Sequence, residues 1–521
     1  MKLIPAFNSL VSLATAFLSP SGIAGASGLA SNVGTNGTGA PPCDLLTEAG
    51  LADRVRFPSD PEYELRIQSY WALDTRRRPW CLFMPHNATE VSIGLVALLE
   101  GNDNVHRGAG DWHIAVRGGG HALGHSNNIE DGVTIDLFYL NETTYDPGTN
   151  IASVMPGSLW RDVYPVLHTY GVVVAGGRDG GVGVPGILLG GGSNYYMGEY
   201  GFGCDTVRNY EVVLADGSIV NANEDEHRDL WRALKGGGIN FGIVTRFDME
   251  AIPDIPVSYG LRVMPGNASE QFVDAVVDYT DIQQEAFPKD ALIALIFNLA
   301  GVEVLTTAEV NTAGVLNSPG FDRFARIPQL TPFAPVVTNL YALAPVTSLP
   351  GGSWSLIETL TFKTSRQMLN YVVERNRQLV ADVGLAIGPA SFFSNLIYQA
   401  LPSFFADISE DQGGNMFADT LRGHNAVLCT IELMVITTEH DLAVASALFR
   451  QFAADIRSYS VAIGADHPLV YLNYADPAQD SLGSYPRRHV KHIRKTARRY
   501  DPEGLFQTRF PGGFKISRVR K

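Results

Sequence analysis

Three glycine-dense segments, Gly118–Gly120, Gly176–Gly192 and Gly236–Gly242, lie within one half of the chain. The first two follow short apolar runs of strand type, and the third lies between a short helical stretch and such a run. The backbone must therefore turn sharply there and expose successive amide N–H groups. The densest run is Val116-Arg117-Gly118-Gly119-Gly120-His121. Its three glycines allow the backbone to cradle an anion such as a diphosphate, and Arg117 adds positive charge. A bare surface turn would explain the glycines but not a histidine at their exit. Three such loops together point to a large, extended ligand rather than a lone phosphate.

Competing motifs fail on detail. Gly181-Val182-Gly183-Val184-Pro185-Gly186 spells GxGxxG after the apolar run Val172–Ala175. A Rossmann site needs a helix to open at the last glycines. Pro185 followed by Gly190-Gly191-Gly192 argues against one, and no acidic residue stands at a strand end at the required distance. His121 and His125 are spaced like zinc ligands on a helix, but the surrounding glycines forbid a rigid helix. No glutamate follows His121 as HExxH demands, and no metal site is expected. Gly191-Gly192-Ser193-Asn194-Tyr195 misses the last glycine of a nucleophile elbow.

At 521 residues the chain exceeds one small core. Strands are expected at Trp112–Val116, Val133–Leu137, Val172–Ala175, Val212–Leu214 and Ile243–Phe247, with a helix over Ala88–Leu99. Ala215-Asp216-Gly217-Ser218 reads as a hairpin turn. After the joint Pro253-Asp254-Ile255-Pro256 the texture changes. Helical stretches at Ser269–Tyr279, Arg366–Val383 and Glu439–Tyr459 alternate with strand-like runs at Ala291–Phe297, Ser355–Phe362 and Val427–Thr437. That pattern predicts an α+β fold in which one antiparallel sheet is covered by helices. The basic stretch Arg487–Arg499 reads as a solvated amphipathic helix ending at Asp501-Pro502, in preference to an anion site. No repeat of solenoid or propeller period is present.

The first residues indicate a compartment. Lys2, the apolar run Leu3–Leu18 and the small residues Ala24-Gly25-Ala26 have the layout of a secretory signal over 1–26. Acceptor triplets for glycosylation begin at Asn36, Asn87, Asn141 and Asn267. Of the four cysteines, Cys43 and Cys81 flank the first mature segment, and one bridge between them would pin it. Cys204 and Cys429 read as buried thiols. A net charge of −15 argues against a general nucleic-acid binder, and no later stretch is apolar enough to span a membrane.

Taken in order, Arg117-Gly118-Gly119-Gly120-His121, Val182-Gly183-Val184-Pro185-Gly186 with Gly190-Gly191-Gly192, and Tyr200-Gly201 with Asp205-Thr206-Val207 resemble the FAD-binding motifs of the vanillyl-alcohol-oxidase (PCMH-type) flavoproteins. Gly236-Gly237-Gly238, Phe241-Gly242-Ile243 and the C-terminal Asn473-Tyr474-Ala475-Asp476, Tyr500-Asp501-Pro502 and Leu505-Phe506 are similar to the berberine-bridge-enzyme-like branch. The resemblance covers nearly all of the mature chain. It implies an FAD-binding part over 43–252, a substrate part over 253–466 and a segment over 467–521 returning to the first. His121 matches the family histidine bonded to the flavin 8α-methyl group, with Arg117–Gly120 and Gly124 nearby. Val182, Gly183, Gly186, Gly190, Gly191, Asp205, Val207, Gly242 and Ile243 fall at further FAD-binding positions. Asp179 stands where many members carry a second covalent link through cysteine, so a single link is expected. Pro185 departs from the usual glycine.

The implied chemistry is transfer of a hydride from a substrate C–H to flavin N5 while a base takes the substrate proton, with oxygen then reduced to hydrogen peroxide. By position, Tyr471 and Tyr474 are the candidate base or substrate-binding groups, with Asn473 beside them and Tyr200 as a further candidate. A tyrosine base would need a pKa lowered from roughly 10. The short covering resembles fungal members acting on secondary metabolites, some of which couple oxidation to a Diels–Alder ring closure. An oligosaccharide oxidase and a secreted flavoprotein without turnover are the alternatives. The expected partners are a small-molecule substrate and oxygen, with the chain acting as a monomer.

Overall fold

The computed structural model describes residues 38–103, 112–124 and 126–520. The segment read as a secretory signal, the triplet at Asn36, and His125 lie outside the described residues. Strand His113–Arg117 runs parallel to Gly132–Asp136, which sets Arg117 opposite Asp136. Cys81–Phe83 (parallel to Gly132–Asp136) and Val55–Arg56 complete this four-stranded sheet. Helix Ala88–Asp103 packs Val91, Leu95 and Leu98 against Ile114, Val133 and Ile135. Its start is fixed by Asn87, whose side-chain oxygen accepts the Glu90 N–H at 2.9 Å.

A five-stranded antiparallel sheet follows, in the order Thr143–Asp146, Ile151–Val154, Ile243–Glu250, Val207–Val213, Ile219–Asn223. The expected hairpin turn is present: Gly217 has φ 80° and Leu214 N–H donates to Ser218 O at 2.9 Å. The run Val172–Ala175 contributes only Val172–Val173, paired with Ile252–Pro253. One expectation is overturned, because Val184–Gly190 is a helix that opens at Gly183. Pro185 falls in its first turn, where a missing N–H leaves nothing unsatisfied. Apart from Gly186 the glycines fall at the helix end, where Gly191 stops it with φ 138°.

The second half is built on one eight-stranded, wholly antiparallel sheet. Its central strands are Val302–Asn311, Asp290–Leu299, Phe392–Leu401, Ala426–Val435 and Trp354–Lys363, in that order. Strand alternation sorts the side chains. Val427, Cys429, Ile431, Leu433 and Val435 face a core shared with helices Ser269–Ala286, Arg366–Ile387 and Glu439–Ala462. Ser365 and Thr438 cap two of these helices, accepting the Met368 and Asp441 amides. Between these residues, Leu428, Thr430 and Glu432 face the opposite side, toward the first half.

After His467 the chain packs back on the first half. Helix Arg487–Tyr500 buries Val490, Ile493, Ala497 and Tyr500, and Arg499 pairs with Asp229 at 2.8 Å. Among the described residues no helix is long and apolar enough to cross a membrane. Cys43 and Cys81 form a disulfide, while Cys204 and Cys429 are buried and free. The bridge closes a separation of 38 residues and ties helix Pro41–Leu46 to the first sheet. The double variant Cys43→Ala/Cys81→Ala is expected to lose about 2–4 kcal/mol of stability in chemical denaturation, mainly through the freed unfolded chain.

Candidate functional site

The glycine loops pack on one another. A Cβ on Gly119 would lie 2.6 Å from the Gly183 Cα, and one on Gly118 would strike Pro185. Gly120 takes φ 79°, and its carbonyl accepts the Trp71 N–H at 3.1 Å. Among the described residues, no acceptor faces the amides of Gly118, Gly119, Gly120 and His121. Gly186 is the exception to the tight packing, since a Cβ there would meet nothing within 4 Å. Arg117 does not lend its charge to this cradle. Its guanidinium turns beneath the loop, donating to Arg66 O at 2.6 Å and Ser69 Oγ at 2.7 Å, over the Tyr70 ring. Pairing with buried Asp136 across the sheet is what draws it inward.

His121 stacks on Trp71, with ring centroids 4.5 Å apart. Burial lowers its pKa below the ordinary value, and the carboxylate of Asp179 opposes that shift. Asp179 is itself held: one oxygen accepts the Gly181 N–H at 2.7 Å and the other the Leu349 N–H at 3.0 Å. The segment from Ala344 to Gly352, from the second half, straps this corner. Thr347 Oγ1 donates to Arg178 O at 2.7 Å, Gly180 N–H to Ala344 O at 3.2 Å, and Gly352 N–H to Trp71 O at 2.7 Å.

Arg178 links the halves. Its Nη2 donates to Gln399 Oε1 at 2.5 Å and to the Tyr474 hydroxyl at 2.7 Å. Tyr474 is half-buried, and its ring lies 5.1 Å from that of Tyr471. Tyr471 differs from the base expected by position. It is buried against Phe202 and Phe417, its oxygen accepts the Ser193 N–H at 2.8 Å, and burial raises its pKa well above the ordinary value. It therefore stays protonated where a base must be free. Asn473 is a clamp, its Oδ1 accepting the Gly192 N–H at 3.0 Å and its Nδ2 donating to Gly186 O at 2.6 Å. Tyr200 sits elsewhere, in edge contact with Tyr196, with burial and then Glu199 raising its pKa.

The sheet face that carries Gln399 supplies what motif reading missed. Cross-strand register places Asn395, Ile397 and Gln399 beside Glu432, Thr430 and Leu428, and beside Phe297 and Leu295. Ile293, Leu295, Phe297 and Ile397 are only half-buried although central in the sheet, so this apolar face borders open space. Glu432 is a buried carboxyl whose partner is Asn395 Nδ2 at 2.8 Å; burial raises its pKa despite that bond. The hydroxyls of Thr359, Thr361 and Thr430 on the same face are buried without partners among the described residues.

The other expected positions are mostly structural. Asp205 is fully buried and accepts from Phe202 N–H, Ser409 and Asn415, which orders the turn before Val207. Val207 begins a strand and its carbonyl accepts the Trp231 indole N–H. Gly242 leaves room for Val212, and Ile243 pairs with Val213. Gly124 has φ 62° and passes close to Pro477. Val182 O accepts the Trp160 N–H at 3.2 Å. Gly190 and Gly191 give way to Asn473 and to Phe417 with Tyr471.

Residues 108–223 match the family described as "FAD binding domain". Over 488 residues the chain is 31% identical to FAD-dependent monooxygenase sdcF of Emericella nidulans, covering 92% of this chain and 98% of that one. It is 29% identical to the bifunctional solanapyrone synthase of Alternaria solani over 91% and 88% of the two chains. The structure of berberine bridge enzyme from Eschscholzia californica superposes with a TM-score of 0.70 at 15% identity, covering 91% and 99%.

The clamp and the buried phenol each have a stability signature. Asn473→Ala leaves the Gly192 amide unpaired, and Tyr471→Phe does the same to Ser193. Each is expected to cost about 1–3 kcal/mol in denaturant unfolding.

Proposed function

Because the chain belongs to the PCMH-type FAD-linked oxidoreductases, in their berberine-bridge-enzyme-like branch, we propose that it oxidises an alcohol or related C–H of a secondary metabolite, with oxygen reduced to hydrogen peroxide. The residues fit the cofactor. The loop amides at Gly118–His121 lack acceptors among the described residues, and a Cβ on Gly186, in the helix packed on that loop, would meet nothing within 4 Å. These groups would hold the diphosphate, and His121 would carry the single covalent link, Asp179 replacing any second one. When bound, FAD supplies the hydride acceptor for the substrate C–H.

The observation that carries the reading is the Arg178 bridge, which joins Tyr474 to Gln399 on the half-exposed apolar sheet face. Substrate bound there lies between that face and the tyrosine. Glu432 takes the substrate proton at its carboxylate, and Tyr474, oriented by Arg178, hydrogen-bonds the reacting oxygen. A desolvated carboxyl is suited to this, because a raised pKa brings the base nearer the working pH. Ile293, Leu295, Phe297 and Ile397 exclude water and favour an apolar metabolite over an oligosaccharide. Passage through the secretory pathway belongs to the same proposal, supported by the disulfide and by the exposure of Asn87, Asn141 and Asn267.

The relatives' names favour a second reading, insertion of an oxygen atom. Turnover under labelled oxygen separates the two: label confined to peroxide supports the oxidase, and label in the product supports the monooxygenase. In the oxidase reading activity falls as the pH drops and Glu432 protonates, with the limb above the ordinary carboxyl value of roughly 4.3. Glu432→Gln is expected to lower kcat by about 10²–10⁴ and remove that limb, whereas Tyr474→Phe lowers kcat and keeps it. An unchanged limb in Glu432→Gln would remove Glu432 as the base.

A further inference from the structure

Away from this site, helices Arg228–Leu234, Phe405–Asp411 and Arg487–Tyr500 enclose an open cavity of about 680 Å³, counting its mouth. Three arginines line it, Arg228, Arg232 and Arg488. In a chain of net charge −15 that concentration is not a consequence of composition. The carboxylates within reach are already shared. Asp419 is bonded by Arg422, Arg488 and His489, and Glu410 by Arg422. Arg228 faces Glu224 at 3.6 Å on the exposed rim. Arg232 alone makes no ion pair among the described residues, and its Nε is buried without a partner. Its pKa is lowered by burial and by the neighbouring Arg228 and Arg488 charges, against the attraction of Asp419.

Arg232 is half-buried between two like charges, and the carboxylate that attracts it, Asp419, is already bonded to Arg422, Arg488 and His489, so an anion in the cavity would stabilise it. The planar fork of arginine matches two oxygens of one oxyanion, so the Arg232 fork, with the further positive charges of Arg228 and Arg488 around the same cavity, suits a phosphate-type group. The geometry points to a binding site for a phosphate-type oxyanion, free or as the terminal group of an organic ligand, held by Arg232 with Arg228 and Arg488. The cavity also shares a wall with the cofactor side. Asn415 lines it, holds Asp205, and accepts the Phe417 amide, and the Phe417 ring packs on Tyr471.

Calorimetric titration of the holoenzyme with inorganic phosphate, at constant ionic strength in chloride, tests this. Saturable binding at one site per chain is expected, weakened about tenfold or more by Arg232→Gln and also weakened by Arg488→Gln. Phosphate should raise the Tm of the parent protein but not of Arg232→Gln. Without phosphate, Arg232→Gln should be at least as stable as the parent, with its flavin spectrum unchanged. Tighter binding of glycerol 3-phosphate than of phosphate would identify an organic phosphate as the ligand type, and equal or weaker binding the free ion. No saturable binding, or binding that both variants leave unchanged, overturns the site. A variant destabilised equally with and without phosphate would show that Arg232 serves packing alone, and would also overturn it.

Discussion

The approach of Gly119 to Gly183, backbone on backbone, is the constraint on which the rest of the cofactor side depends. Any Cβ on Gly119 would enter the space of the Gly183 Cα. With both residues bare, the loop after strand His113–Arg117 and the turn before helix Val184–Gly190 lie in direct contact. His121 then emerges at the edge of that contact and stacks on Trp71. The inward turn of Arg117 belongs to the same arrangement: its guanidinium fills the space beneath Gly120 and ties the loop to Asp136, Arg66 and Ser69. The charge reads in sequence as part of a cradle, yet it works as the floor of one.

A second dependence crosses between the halves. The cofactor loops come from the first half and the apolar sheet face from the second, and Arg178 meets both Gln399 and Tyr474. The strap from Ala344 to Gly352 holds the Arg178 carbonyl, the Gly180 amide and the carboxylate of Asp179. Position is therefore fixed by hydrogen bonds to main chain, which tolerate little drift, rather than by exposed ion pairs, which are worth little. One consequence is a division of labour among the C-terminal residues: Tyr471 and Asn473 hold the Ser193 and Gly192 amides, while the Tyr474 hydroxyl accepts from Arg178.

Much of this was legible in the sequence, and what was not has definite causes. The strands, the three long helices and the antiparallel sheet followed from periodicity, because burial on one face imposes it. The glycine runs marked the closely packed loops, because few other sequences allow such contacts. Pro185 misled, since its effect depends on whether it falls in the first turn of a helix or later. Glu432 was hidden in the apolar run Ala426–Val435, which is buried along both faces, so that alternation gives no clue to the direction of any one side chain. Its partner Asn395 lies on the neighbouring strand, and only the pairing register reveals that they share a face with Gln399. Arg178 and Trp71 carry no motif; their partners lie far away in the chain.

The central claim is that the loop Gly118–Gly120 presents His121 to FAD as its single covalent anchor. An absorbance spectrum of the purified protein, repeated on the acid-precipitated pellet, tests it most directly. The account predicts yellow flavin absorption retained in the pellet, and its release to the supernatant in His121→Ala. Flavin released from the parent protein by acid, or retained in the pellet of His121→Ala, would contradict it.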